Sequence, residues 1–332
     1  MIRRYMNRAQ LPPAWRAIGS CAGLLVALVR PAAACDLHAL RTASAIEDDT
    51  PGLRLGVGEQ WTHYGTLQDG DDEIANPDDQ RLDSSITQIV AGYRFTERVG
   101  AELRLPIISR HYRRPTHDGR MEDGDVSGFG DLALLADVVA FRRDTDTSSF
   151  RVDVVGGLEL PSGNPDHLGD ELEEHHHPGA SPETESGIHG HDLALGSGSV
   201  DGLLGLDLFW SRERVFFLAS ILYAIRGQGA FDYRYANDLQ WAAGPGMLVW
   251  RGAESQAAVQ ALLSGETKGQ DEQQGETLND TAATTLYVGP GFNLGWKQLE
   301  AEASVEVPVV THRTSVQIAP DVRVRGGVRW RF

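Results

Sequence analysis

The sequence is poor in cysteine, in lysine and in long apolar runs. Its 332 residues include two cysteines, Cys21 and Cys35, and two lysines, Lys268 and Lys297. Downstream of Cys35, no apolar run approaches the roughly 20 residues that a transmembrane helix needs. If this part of the chain spans a membrane, it must therefore do so as a closed barrel, because only helices and closed barrels satisfy every backbone polar group in lipid.

The charge balance is strongly acidic. The formal net charge is −17, and loss of residues 1–34 would make it −22, because that segment carries five arginines and no acidic residue. Such a chain repels phosphate groups, so we expect no nucleic-acid partner. We also expect no enzymatic activity and no catalytic residues. The serines and histidines near residue 190 lie in a glycine-rich loop, and closeness in a loop does not by itself place a nucleophile beside a base.

The first 34 residues have the features of a secretory signal. Four arginines precede an apolar run at 18–29, and alanines at 32–34 offer small residues for cleavage. We predict a signal peptide over 1–34, then a periplasmic N-terminal segment or lumen plug over 35–52. A transmembrane anchor and a lipid modification of Cys35 remain as alternatives. With the signal removed, Cys35 is the only cysteine, so no intrachain disulfide can form.

The C-terminal segment alternates between apolar and charged side chains. Val322, Val324 and Trp330 share one parity, and Arg323 and Arg325 share the other. A period of two is typical of a β-strand. In a membrane barrel the apolar parity faces lipid and the charged parity lines a wet interior. A soluble periplasmic barrel or sandwich would bury the apolar parity instead. The barrel interpretation predicts a lumen lined by Arg98, Glu102, Arg104, Arg151, Asp153, Glu159, Glu300, Glu302, Glu306, Arg323, Arg325 and Arg329.

About twelve alternating segments recur between residues 53 and 332, joined by long and short connections in turn. The predicted fold class is all-β: a closed antiparallel transmembrane β-barrel with short periplasmic turns and long external loops. The predicted long loops are Gly65–Leu82, Arg110–Ser127, Pro161–Ser197, Gln228–Asn237, Glu266–Thr281 and Val309–Pro320. Aromatic residues near the predicted strand ends suggest two interface belts. One belt is Tyr93, Phe95, Trp210, Phe216, Trp250, Trp296, Trp330 and Phe332, and the other is Trp61, Tyr64, Tyr223 and Trp241.

Three short glycine-containing motifs carry a resemblance to a known family. They are Gly130-Asp131-Leu132, Leu160-Pro161-Ser162-Gly163 and Leu195-Gly196-Ser197-Gly198. With them, most of residues 55–332 resembles the meta-pathway phenol-degradation family of outer-membrane β-barrel transporters. The resemblance implies a barrel of this size with hydrophobic or aromatic compounds as cargo, and it supplies no binding residues.

The predicted loop 161–197 is rich in histidine and acidic residues. Imidazole and carboxylate groups are ligands for zinc, nickel and copper, and a His-rich tract points to metal binding. The candidate ligands are His167, His175, His176, His177, His189 and His191. The simplest alternative is a mobile, solvated external loop, and a further one is pH-dependent gating by the histidines. No cofactor is required by any other feature.

These patterns predict an outer-membrane protein of a Gram-negative bacterium that carries small molecules passively. The family resemblance implies hydrophobic or aromatic ones. The expected partners are outer-membrane lipid, a small-molecule permeant and the barrel-assembly machinery, which would recognise the terminal Phe332. The alternative function is a non-conducting barrel whose His-rich external loop binds a divalent metal or a partner.

Overall fold

The computed structural model describes residues 50–116, 119–170 and 186–332. In these ranges twelve long antiparallel strands, each paired with its neighbours in sequence, close into a barrel. The prediction of an all-β closed barrel of twelve strands is therefore confirmed. The barrel strands are β1 (Gly52–Asp69), β2 (Arg81–Thr96), β3 (Val99–Pro115), β4 (Leu132–Asp144), β5 (Ser148–Leu160), β6 (Asp201–Arg212), β7 (Val215–Ile225), β8 (Asp238–Arg251), β9 (Ser255–Lys268), β10 (Ala283–Trp296), β11 (Leu299–Arg313) and β12 (Val316–Arg331).

The barrel closes between its first and last strands. β12 runs antiparallel to β1 from the pair Arg54–Arg331 to the pair Asp69–Val316. Closure removes the unpaired backbone edges that an open sheet would expose, which a wall in lipid requires. Residues 1–49, with the predicted signal and N-terminal segment, lie outside the described residues.

Side chains alternate between the two faces of the wall. On β12, Val324 is 38% exposed and Trp330 is 42% exposed, whereas Arg323 and Arg325 are 3% and 6% exposed. The oily parity thus faces outward and the charged parity faces inward. This is the arrangement of barrels that span a bilayer, and it is the reverse of a soluble sandwich.

One part of the outer face is polar. Glu59 on β1 accepts hydrogen bonds from the hydroxyls of Ser85 and Thr87 on β2. Farther along the same strands, His63 Nδ1 lies 2.8 Å from Asp83 Oδ1. These side chains satisfy one another, which lowers the cost of polar groups on a surface that otherwise faces lipid.

The connections differ between the two ends of the barrel. At one end the strands are joined by turns of two or three residues, at 97–98, 145–147, 213–214, 252–254 and 297–298. At the other end most connections are long: 70–80, 116–131, 161–200, 226–237 and 269–282. In outer-membrane barrels the short turns face the periplasm, so we refer to the short-turn end as periplasmic and to the other end as external.

The predicted loop Val309–Pro320 is wrong. β11 continues to Arg313 and β12 begins at Val316, so only two residues separate these strands. Pro320 marked a loop in the sequence because proline cannot donate to a strand ladder. In the structure it lies opposite Tyr64 where the pairing of β12 with β1 shifts register, and the pairing of β12 with β11 has already ended at Glu306–Arg323.

The external end carries a little extra structure. A strand at Met121–Phe129 folds back on β3, which continues beyond the pairs it makes with β4. Three two-residue strands lie at 233–234, 272–273 and 276–277. The helical pieces in the described ranges are Asp166–Gly169, Gly190–Leu193 and Ala230–Asp232, and none is long enough to cross a membrane.

The aromatic side chains near the short turns face outward, with one exception. Trp250 is 60% exposed and Trp296 is 56% exposed. Phe216 instead points inward, because its neighbour Phe217 holds the outward position, and its ring lies against Gly246. At the external end, Tyr64 also lies inside rather than in a belt, because it shares the parity of the buried Gln60 and Thr62 on β1.

Candidate channel interior

A layer of ion pairs lies inside the barrel on β9, β11 and β12. Glu306 is completely buried. Its carboxylate accepts a hydrogen bond from Arg323 at 2.9 Å and from Arg325 Nε at 2.8 Å. Arg323 also pairs with Glu266 and lies over the ring of Tyr287, 3.7 Å from its centroid. Because the charges are paired, the layer places fixed guanidinium and carboxylate groups in the lumen at a tolerable desolvation cost.

A second charged cluster lies nearer the external end. Arg226 donates to Asp201 at 2.7 Å and to Asp238 at 2.8 Å, and it also pairs with Glu159. All four side chains are nearly buried. The sequence identified Glu159 alone. Asp201, Arg226 and Asp238 all fall where strands meet external loops, and nothing local shows that these loops converge.

One side of the interior is apolar. Six inward-facing residues of β4 to β7 form a contiguous buried cluster: Ala133, Leu135, Val155, Leu203, Leu222 and Ala224. The ion-pair layer occupies strands β9, β11 and β12, on another part of the wall. The interior therefore has an apolar side and a charged side, and Ala133 of the apolar cluster lines a cavity.

Two cavities lie along the interior. The cavity at the periplasmic end has a volume of about 900 Å³, and Gln256 and Arg329 are among its lining residues. The cavity at the external end has a volume of about 790 Å³, and Arg104 and Lys268 help to line it. Along β9, Glu266 of the ion-pair layer lies between Gln256 and Lys268. Along this strand, the layer therefore lies between the residues that line the two cavities.

Eleven of the twelve predicted lumen residues lie on the inner face. Glu300, Glu302 and Arg329 line the periplasmic cavity, Arg104 and Glu159 line the external cavity, and Glu306, Arg323 and Arg325 form the ion-pair layer. Glu102 and Asp153 line a smaller cavity of about 520 Å³, and Arg151 pairs with Asp153 at 2.8 Å. The prediction for Arg98 is wrong. This residue lies exposed in the turn between β2 and β3, where its backbone N–H donates to the hydroxyl of Thr96.

Residues 186–199, which we call the plug, fold into the external half of the barrel. Ile188 and Leu193 are completely buried. They pack against inward-facing Leu82, Tyr112 and Ile318 from three different strands. The interpretation of the long loop as a solvated external segment is therefore wrong for this part of it. The apolar plug residues are buried because they cover the inner wall of the barrel, which removes them from water. The sequence did not indicate this position, because charged residues surround them in the loop.

The three glycine-containing motifs meet at the base of the plug. Asp131 Oδ1 accepts the backbone N–H of Gly163 at 2.8 Å, and Asp131 Oδ2 accepts both the backbone N–H and the hydroxyl of Ser197, at 2.8 and 2.9 Å. Gly163 and Gly196 pack backbone to backbone, and a Cβ on Gly196 would lie 2.7 Å from the Cα of Gly163. We call this arrangement the clasp. The motifs that resemble the phenol-degradation family thus fasten the plug to the wall.

The structure brings together two of the six candidate metal ligands. His189 and His191 lie in the plug beside Asp192, and their rings stack with centroids 5.5 Å apart. His167 lies elsewhere in the long loop and pairs with Asp170 at 2.9 Å. His175, His176 and His177 lie outside the described residues. Asp192 was not among the candidates, although its position three residues after His189 was a usable signal.

Solved structures similar to this fold include three bacterial proteins. The outer membrane channel from Pseudomonas putida F1 has a TM-score of 0.57 at 15% identity and covers 85% of this chain and 96% of its own. Weaker similarities are to the translocator domain of the autotransporter NalP from Neisseria meningitidis, with a TM-score of 0.42, 13% identity and coverage of 96% and 98%. LpxR from Salmonella typhimurium has a TM-score of 0.40, 12% identity and coverage of 84% and 100%.

Of these three, the Pseudomonas channel has a TM-score above 0.5, and its similarity supports the fold. No family model matches the chain, and no curated protein matches it either. The phenol-degradation family therefore remains a prediction. The shared fold and the apolar outer surface place the chain among the β-barrels of Gram-negative outer membranes.

Proposed function

We propose that the barrel is a passive channel for small molecules across the outer membrane. The observation that carries this proposal is the pair of cavities inside one closed wall, one near each end, with a layer of ion-paired side chains between them. Side chains can change rotamer without disturbing the strand ladders, so a solute can pass such a layer while the wall stays intact. The similarity to an outer membrane channel supports the same function.

The proposed permeant is a small molecule with an apolar body and a polar or charged end. The apolar cluster on β4 to β7 would contact the body. The arginines and glutamates of β11 and β12 would contact the polar end. An aromatic acid has this chemistry, and the resemblance to the phenol-degradation family leads to the same class.

A pair of measurements tests the channel and its selectivity. Purified, refolded protein in planar bilayers should give unitary currents. In liposome swelling, benzoate should enter faster than a sugar of similar size. If the protein gives neither currents nor swelling, the channel proposal fails and the non-conducting alternative is favoured.

Adjacent leucines on β6 provide a matched pair of variants. Leu203 is 1% exposed and belongs to the inner cluster, whereas Leu204 is 55% exposed on the outer face. We expect Leu203→Ala to lower the preference for benzoate and Leu204→Ala to leave it unchanged. Equal effects of the two variants would contradict the proposed role of the apolar cluster.

We also propose that the barrel-assembly machinery recognises the C-terminal Phe332. Its side chain is 67% exposed, and its backbone N–H donates to the carbonyl of Leu53 at 2.9 Å. Deletion of Phe332 should lower the amount of heat-modifiable barrel in the outer membrane. An unchanged amount would contradict this recognition.

A further inference from the structure

The plug carries a cluster of metal-ligand side chains at the Gly190–Leu193 helical turn. One nitrogen of His189, one nitrogen of His191 and one carboxylate oxygen of Asp192 lie within 4.8 Å of one another. His189 Nδ1 is 4.0 Å from Asp192 Oδ2, and His191 Nε2 is 3.5 Å from Asp192 Oδ1. We propose that these three residues bind a divalent transition metal of the zinc class.

An unsatisfied buried atom supports this assignment. His189 is 8% exposed, and its Nδ1 has no hydrogen-bond partner among the described residues. A buried imidazole nitrogen without a partner costs free energy, and a metal ion that accepts its lone pair would recover that cost. The unpartnered nitrogen lies 4.0 Å from an oxygen of the carboxylate that would share the ion.

The donor set and its spacing fit the proposed metal. Two imidazoles and one carboxylate are a known ligand set for zinc, with bonds of about 2.0–2.2 Å. Donor atoms within 4.8 Å of one another need only small side-chain rotations to reach one ion. His191 also lines the external cavity, so the fourth coordination position of the ion would face the lumen.

The backbone and the local charge prepare the carboxylate for this role. The backbone N–H of His189 donates to Asp192 Oδ2 at 3.0 Å, which fixes the carboxylate against the turn. Burial opposes a charge on Asp192, yet His191, His189, this N–H and Lys268 together hold the pKa of Asp192 below its usual value. Lys268, which is itself paired with Asp271 at 2.6 Å, and Arg313 also act on this carboxylate and would compete with a bound cation.

The experiment is a titration of untagged, detergent-folded protein with ZnCl₂, followed by calorimetry. The wild type should bind one Zn²⁺ at this site. Even outer-shell changes weaken metal sites about 10- to 100-fold, so His189→Ala and His191→Ala should each weaken binding at least about 10-fold. Heat-modifiable mobility on a gel checks that each variant is folded, and Asp192→Asn replaces either variant that is not.

Two control variants separate this site from other histidines. The triple change of His175, His176 and His177 to alanine should leave the plug site intact, and so should His111→Ala, which alters an exposed histidine on β3. The proposal is overturned if the wild type binds no zinc. It is also overturned if the triple variant loses binding while His189→Ala and His191→Ala keep it, or if both sets weaken binding equally. None of these results depends on whether the barrel conducts.

Discussion

The clasp allows a quantitative prediction about plug release. In Asp131→Asn the side chain keeps its shape, but one of its two oxygen positions becomes an NH₂ group that cannot accept a hydrogen bond. Because Oδ1 accepts from Gly163 and Oδ2 accepts from Ser197, at least one backbone N–H must lose its partner in the variant. Asp131 is only 8% exposed, so water replaces that partner poorly while the plug is docked.

The cost of this loss is about 2–4 kcal/mol, since an unsatisfied buried donor costs about 1–3 kcal/mol and the remaining hydrogen bonds lose their charge assistance. Each 1.4 kcal/mol is a factor of about ten in an equilibrium constant. The population of molecules with a released plug should therefore rise about 30-fold or more in Asp131→Asn.

Thiol labelling measures this population directly. Ala194 is 7% exposed and packs against Leu168, Tyr233 and Leu278. In a background without other cysteines, a thiol in Ala194→Cys reacts with a maleimide only when the plug leaves the wall, so its labelling rate follows the released population.

A charge-matched control is available at the opposite end of the barrel. Asp144 is exposed and accepts a hydrogen bond from Ser149 at 2.7 Å, and Asp144→Asn should leave the labelling rate unchanged. The reasoning is refuted if Asp131→Asn labels no faster than its parent. It is equally refuted if Asp144→Asn accelerates labelling to the same extent.

Three further predictions concern the ion-pair layer, the outer face and pH. Glu306→Gln leaves Arg325 buried without its anion and leaves Arg323 with Glu266 alone, which should destabilise the barrel by about 3–5 kcal/mol. Urea unfolding followed by tryptophan fluorescence tests this, and an unchanged midpoint would contradict it. Gly265→Val should lower the same midpoint, because a Cβ there would lie 2.6 Å from the indole of Trp241. The pKa of Asp192 is lowered in the folded protein, so its charge stabilises the docked plug above the usual carboxyl range and ceases to do so as pH falls below about 4. Channel conductance should therefore change as pH falls below about 4, and Asp192→Asn should remove that change.

The wall of the barrel was predictable because its rules are local. The parity of Val324 and Trp330 against Arg323 and Arg325 can be counted along one strand, and it determines which side chains face lipid. The aromatic belts were predicted less well, because they were assigned from nearness to a strand end and not from parity. Tyr64 shares the parity of the inward-facing Gln60 and Thr62, so the same count places it inside the barrel.

The motifs around Asp131 and Ser197 were also visible in the sequence, but their role was not. They were recognised as corners between strands and loops, whereas the structure joins them across 66 positions in the chain by hydrogen bonds to one carboxylate. Spacing along the chain carries no information about such a contact. The contact forms only because the intervening loop returns Ser197 to the barrel wall beside Asp131.

The sequence by itself determined an all-β barrel with an oily exterior, because alternation and turn length act over a few residues. Only the tertiary structure decided that residues 186–199 turn inward and that His189 meets Asp192 in a buried site. The apolar surface that attracts Ile188 and Leu193 does not exist until distant strands have closed around it. No property of the loop taken alone could therefore show where it would lie.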